Sequence, residues 1–189
     1  MTAALQQADL VFSHMGLYVR DLTRMAKFYS EVMCFTITDR GNLDTPTGAV
    51  QIVFLSRDPR EHHQIILASG KPETATYNNI NQISLRVPNI ATLRAMRDRV
   101  AADEDVSDLV CATHGNAISI YFRDPEGNRL EVFWDTPWHC EQPLREPIDL
   151  DQSDAAVQSQ AETLARSRPN FQSRSQWEAE MSRRMGYTA

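Results

Sequence analysis

Residues 12–19 read FSHMGLYV, and residues 79–87 read NINQISLRV. In the first stretch Met15, Leu17 and Val19 alternate with His14, Gly16 and Tyr18. In the second, Ile83, Leu85 and Val87 alternate with Gln82, Ser84 and Arg86. A period of two with one apolar face is the pattern of a half-buried β-strand. Each run is followed by a helical rhythm: Leu22, Met25, Phe28, Tyr29 and Val32 after the first, and Ile90, Leu93, Met96 and Val100 after the second. A constant offset of 68 residues relates His14 to Gln82 and Val32 to Val100, and Asp21 and Asn89 fall at matching helix-capping places.

The repeat continues beyond the helices. VFLSRDPREHHQIIL and SIYFRDPEGNRLEVF each set an Arg-Asp-Pro turn between two apolar runs. Each half therefore reads as strand, helix and three antiparallel strands. A unit of roughly 65 residues makes a marginal core, so the two halves are expected to pack together about a pseudo-twofold axis. The fold class expected is α+β, with two tandem βαβββ modules, about 10–70 and 78–135, forming a curved mixed sheet around a central cleft. Strand parity directs His14 and Gln82 into that cleft, and Glu131 as well, since Leu130, Val132 and Trp134 form the opposite apolar face of RLEVFW.

Composition narrows the function. The 189 residues carry a net charge of −6 with no basic stripe to neutralise phosphates, so a small molecule is expected as partner and nucleic acid is not. The start MTAALQQADLVF lacks a basic n-region, and no run approaches the roughly 18 apolar residues of a membrane span. A cytoplasmic location is expected. Three widely spaced cysteines, Cys34, Cys111 and Cys140, fit isolated thiols better than a disulfide frame.

The paired modules, the opening SHMGLYV, the helix AKFYSEVMCF and the ending YFRDPEGNRLEVFW resemble the vicinal oxygen chelate superfamily, which includes glyoxalase I, fosfomycin-resistance enzymes, bleomycin-binding proteins and extradiol ring-cleaving dioxygenases. The resemblance spans about residues 10–135 and implies metal ligands at His14, Gln82 and Glu131. The sharper likeness is to extradiol dioxygenases of the 2,3-dihydroxybiphenyl and catechol type. EHHQII resembles a His-His stretch whose second member, here His63, acts as an acid–base group. THGNAISIYFRDPEGNRLE resembles their His-Gly loop and strand tyrosine, which implies active-site roles for His114 and Tyr121. Fe(II) is then the expected metal, and an aromatic diol with dioxygen the expected substrates.

Physical reasoning supports such a set. An ion held on one face by neutral side chains and a carboxylate keeps positions open for a chelating substrate, and a histidine titrating near neutrality suits the proton transfer. His114 and Tyr121 could steady developing charge. Gln82 departs from the extradiol pattern, which has histidine there. An amide oxygen is a weaker donor and shifts preference towards manganese or magnesium. That leaves two alternatives, a glyoxalase-like lyase or isomerase and a metal-free binder of the bleomycin-resistance type. His62 and His63, adjacent on a strand, are expected to face opposite ways, and His139 to face solvent.

Residues 136–189 form the remaining segment. Pro137, Pro143 and Pro147 break it into an extended linker. Two helices follow, SDAAVQSQAETLARS and SQWEAEMSRRM, the second with a capping-box spacing from Ser175 to Glu178. Its stripe of Trp177, Met181 and Met185 suggests packing or a homo-oligomer contact.

Overall fold

The computed structural model describes residues 10–46, 48–77 and 79–187. Residues 1–9, most of the start MTAALQQADLVF, thus lie outside the described residues. The first half runs β1 (Met15–Val19), α1 (Leu22–Lys27, continuing as a π-helical turn over Phe28–Val32), β2 (Thr36–Thr45), β3 (Gly48–Ser56) and β4 (Ile65–Ser69). The second repeats it with β5 (Ile83–Arg86), α2 (Ile90–Ala101), β6 (Ser107–Thr113), β7 (Ala117–Arg123) and β8 (Arg129–Asp135). The strands form two mixed sheets. The first has the order β1-β4-β3-β2, with β1 parallel to β4. In the second, β5 pairs in parallel with β8. Two covered sheets let each apolar strand face meet its own helix, which is why the period of two and the period of 3.6 alternate along the chain.

Both helices start where the sequence places their caps. The Asp21 carboxylate accepts from the Arg24 backbone N–H at 2.9 Å, and the Asn89 side chain from that of Thr92 at 2.8 Å. Met25, Phe28, Tyr29 and Val32 turn inward onto Leu17, Val19, Leu55 and Leu67, and Ile90, Leu93 and Val100 onto Ile118, Ile120, Leu130 and Val132. Each such large side chain contributes about 1.5–3 kcal/mol by leaving water.

Polar contacts join the halves at the second Arg-Asp-Pro turn. Glu126 accepts the backbone N–H groups of Arg20 and Asp21 at 2.6 and 2.9 Å, ahead of α1, while Lys71 brings its ammonium 3.2 Å from the other carboxylate oxygen, without hydrogen-bonding geometry. Asp124, buried in the same turn, accepts from Tyr29 at 3.2 Å and from Asn128 at 2.7 Å.

Residues after 135 are bound closely to the second half. β9 (Trp138–His139) pairs with β11 (Gln172–Ser173), and β10 (Glu146–Pro147) extends the second sheet beside β6. Trp138, Cys140, Ile148 and Leu150 are buried with Val157, Ala161 and Ala165 of α3 (Asp154–Arg166). The segment is thus part of the core instead of a linker. In α4 (Arg174–Arg184) the capping box lies two residues before the expected one, at Ser173 and Gln176. Its stripe buries nothing fully, but Trp177 stacks on His139 with ring centroids 4.8 Å apart, so His139 is half-buried. Among the described residues the cysteines are free, and no helix is long and apolar enough to cross a membrane.

Candidate active site

Glu131 is the centre of the second sheet's polar face. Register pairs it with Tyr121 on β7 and Ser84 on β5, so period-two geometry brings three side chains to one spot. Leu130 and Val132, its neighbours in sequence, are 0% and 1% exposed on the other face, while Glu131 itself is 7% exposed. A carboxylate so buried must have its lone pairs met. Oε1 accepts from Ser119 at 2.8 Å and Tyr121 at 2.6 Å; Oε2 accepts from Ser84 at 2.6 Å and the Gln82 amide nitrogen at 3.0 Å.

The two oxygens differ in their surroundings. Ser119 and Tyr121 are buried and hold Oε1 in place, whereas Gln82 and Ser84 are exposed and can turn away from Oε2. Behind Oε1 the chain of bonds goes on. Tyr121 also meets His114 Nε2 at 2.7 Å, and His114 Nδ1 donates to the carbonyl of Leu144. A carbonyl can only accept, so the Leu144 bond assigns a proton to Nδ1 and turns Nε2 to the phenol. The phenol has one proton and two neighbours, so it can donate to Oε1 or to Nε2 but not to both at once. Burial, with Glu131 beside it, pushes the Tyr121 pKa up, so the phenol stays protonated through the neutral range.

Gly115 makes the His114 turn possible. Its φ is +73°, and a Cβ there would meet Cys140 Sγ at 2.8 Å. The segment after β8 is thus pressed against the turn that carries His114.

Of the six residues singled out from the sequence, Gln82, His114, Tyr121 and Glu131 come together in this network. His14 and His63 form a second group: their ring centroids lie 4.3 Å apart, and His14 is exposed. The expectation that His62 and His63 face opposite ways is corrected. They lie in the loop before β4, not on a pleated strand, and their Nδ1 atoms are 2.8 Å apart. Burial and then the neighbouring His14 and His62 imidazoles lower the His63 pKa, which favours its neutral form. The edges of β1 and β5 border a common crevice of about 520 Å³, lined by Ser13, Met15, Gln64, Gln82 and Ser84 among others. His14 is not among the residues that line it, although its neighbours Ser13 and Met15 are.

Ser84 and Ser119 are additions to the expected set. Their parity with Glu131 and Tyr121 was a usable signal. The Leu144 carbonyl had none, because a backbone acceptor leaves no mark in a sequence.

A family model described as the Glyoxalase/Bleomycin resistance protein/Dioxygenase superfamily matches residues 11–132. The chain belongs to this superfamily. YwbC of Bacillus subtilis, an uncharacterized protein, is 26% identical over 124 residues, covering 64% of this chain and 94% of its own. A glyoxylase/bleomycin resistance protein/dioxygenase domain from Frankia is similar in structure, with a TM-score of 0.53 and 22% identity over 66% of this chain and 96% of its own. A glyoxalase family protein from Bacillus cereus also has a TM-score of 0.53, with 18% identity over 71% of this chain and 98% of its own. At these identities the solved structures speak for the fold.

The superfamily implies a divalent metal, and the donor set can be tested for it. Among the described residues no three His, Cys, Asp or Glu side chains come close enough to hold an ion, and the candidate set of His14, Gln82 and Glu131 fills one of its three places with an amide. The set of one imidazole, one amide oxygen and one carboxylate suits a divalent ion of intermediate hardness. Glu131 fits the part of a ligand: Oε1 is anchored from behind and Oε2 is turned to Gln82 and Ser84, which are exposed. Gln82 needs only to turn its amide over to present oxygen where it now presents nitrogen.

Proposed function

We propose that the chain is a metal-dependent enzyme that binds its substrate through two neighbouring oxygens, and that it acts as an extradiol-type dioxygenase on a catecholic aromatic compound, with Fe(II) and dioxygen. The observation that carries this reading is the asymmetry of Glu131, one oxygen locked by buried donors and the other held by partners that can leave. His14, Gln82 and Glu131 would hold the ion, and Mn(II) or another divalent metal suits the same donors. When bound, such an ion supplies a Lewis-acid centre with open positions for a chelating diol and for dioxygen.

The protein's own residues have separate tasks. Ser119 and Tyr121 orient the carboxylate, and His114 holds the phenol. His63, its neutral form favoured and beside His14, is the base for a catechol proton. Tyr121 is the donor for charge that develops on the substrate oxygens, with His114 backing it.

A second reading is favoured by Gln82. An amide in place of imidazole lowers iron affinity, and a lyase or isomerase that chelates vicinal oxygens needs no redox metal. Metal analysis of anaerobically purified protein, followed by oxygen uptake with a panel of catechols, separates the two. Iron together with a yellow ring-cleavage product is expected. Bound metal without oxygen uptake would favour the lyase or isomerase, and no metal at any supplied concentration would leave only a metal-free binder. Gln82→His is expected to raise iron affinity; an unchanged affinity means that Gln82 does not touch the metal.

A further inference from the structure

Three guanidiniums gather on the second sheet beside Tyr121. Register places Arg123 opposite Arg129 on the face that also carries Tyr121 and Glu131. From β10's approach, Arg145 lies over the Tyr121 ring, 5.0 Å from its centroid. Together with Asp108 and Val110 they line a pocket of about 290 Å³. Arg123 is committed, donating to Asp108 at 2.6 Å and to the Gly127 carbonyl at 2.8 Å. Arg129 and Arg145 have no hydrogen-bond acceptor and no ion-pair partner among the described residues.

That arrangement is unusual for this chain. Its net charge is −6, and Asp58, Asp105, Asp135 and Asp154 each pair with an arginine elsewhere. Here the single carboxylate of Asp108 is left against three guanidiniums, at a place where like charges repel one another. Val110 is 44% exposed on the same wall and, with Leu109, Tyr121 and Phe122, gives the pocket an apolar side beside its guanidiniums. A ligand with an anionic end and a flat apolar body meets both needs, and a planar carboxylate matches the fork of a guanidinium.

We propose that this pocket binds the carboxylate of a small, single-ring organic acid, with Arg129 and Arg145 as its donors and the ring against Val110 and Tyr121. Tyr121 is shared between the pocket and the Glu131 network, so the acid adjoins the candidate active site. The substrate is then a catecholic acid, an assignment that rests on the proposed function for the diol and on the arginines for the carboxylate.

Binding and turnover test the two parts separately. Benzoate, titrated calorimetrically into the full chain, is expected to bind saturably, and benzyl alcohol is not. Arg129→Gln and Arg145→Gln should each weaken benzoate about ten-fold, as loss of a charge-assisted bond requires, and Arg129→Lys should fall in between. Unfolding temperatures equal to the wild type show that the variants are folded. No benzoate binding by the wild type, unchanged affinity in both glutamine variants, or equal binding of benzyl alcohol would overturn the proposal. Inorganic phosphate displacing benzoate at equal concentration would overturn the carboxylate in favour of a phosphorylated ligand. Oxygen uptake with catechol and with 2,3-dihydroxybenzoate completes the test. A preference for the acid that Arg129→Gln abolishes is expected, and equal use of both by wild type and variant would overturn the pocket while leaving the dioxygenase reading intact. Benzoate binding as expected without oxygen uptake from any catechol would sink that reading alone.

Discussion

Tyr121→Phe removes one oxygen and keeps the ring, and the structure gives the oxygen two polar neighbours: 2.6 Å to Glu131 Oε1 and 2.7 Å to His114 Nε2. A hydrogen bond to a charged group contributes about 1.5–3 kcal/mol net, and one between neutral groups about 1 kcal/mol. His114 is half-buried and can turn to water, which returns part of the second amount, so the expected loss is about 2–3 kcal/mol. For a chain of this size, each kcal/mol lowers Tm by about 2–4 °C, so a drop of roughly 4–12 °C is expected. Ser84→Ala is the matching control. Ser84 donates to the other oxygen at the same 2.6 Å, yet it is exposed, so water can replace it and the loss should stay below about 1 kcal/mol. Urea unfolding followed by circular dichroism at pH 7.5, with thermal melts alongside, measures both. Equal losses in the two variants would refute the asymmetry between Oε1 and Oε2 on which the proposed function stands.

Other expectations follow from single contacts. Gly115→Ala forces a Cβ to within 2.8 Å of Cys140 Sγ at a φ of +73°, and overpacking with backbone strain should cost about 3 kcal/mol in urea unfolding and displace the His114 side chain, read from its imidazole NMR signals. Lys71→Met leaves the Glu126 carboxylate buried beside an apolar group; a loss of about 3 kcal/mol is expected, and Glu126→Gln in the same chain should recover most of it. Burial raises the pKa of both Tyr29, with Asp124 adding to the shift, and Tyr121. The folded state therefore holds these phenolic protons more tightly than the unfolded chain, whose phenols titrate near about 10. Their stabilisation is complete below that pH and falls as pH rises above it, by about 1.4 kcal/mol per pH unit for each tyrosine. Urea unfolding between pH 8 and 11.5 should show this slope, and Tyr29→Phe should remove one tyrosine's share of it.

Much of this architecture is legible in the chain. Met15, Leu17 and Val19 repeat as Ile83, Leu85 and Val87 because successive strand side chains point to opposite faces whatever surrounds them. Asp21 and Asn89 cap their helices through contacts three residues away. The same parity sent Glu131 to the polar face between two core residues. It failed at His62 and His63, where a strand rule was applied to loop residues. Capping-box spacing pointed to Ser175 and Glu178 for α4, yet Ser173 also has a polar residue, Gln176, three positions on. Pairing with Trp138–His139 decides it, by holding the Gln172–Ser173 backbone extended so that Ser173 becomes the cap.

What the sequence determined by itself is therefore the set of contacts within a few residues or one strand period: the two modules, their caps, and the face that Tyr121 and Glu131 share. Tertiary structure alone decided which donors meet Glu131, and that the Leu144 carbonyl orients His114 from 30 residues away. It also decided that Arg145 reaches Tyr121. Period and propensity are properties of neighbouring residues, whereas these meetings depend on how a late segment returns to the sheet, and a carbonyl or an arginine in that segment has no local pattern to announce its partner.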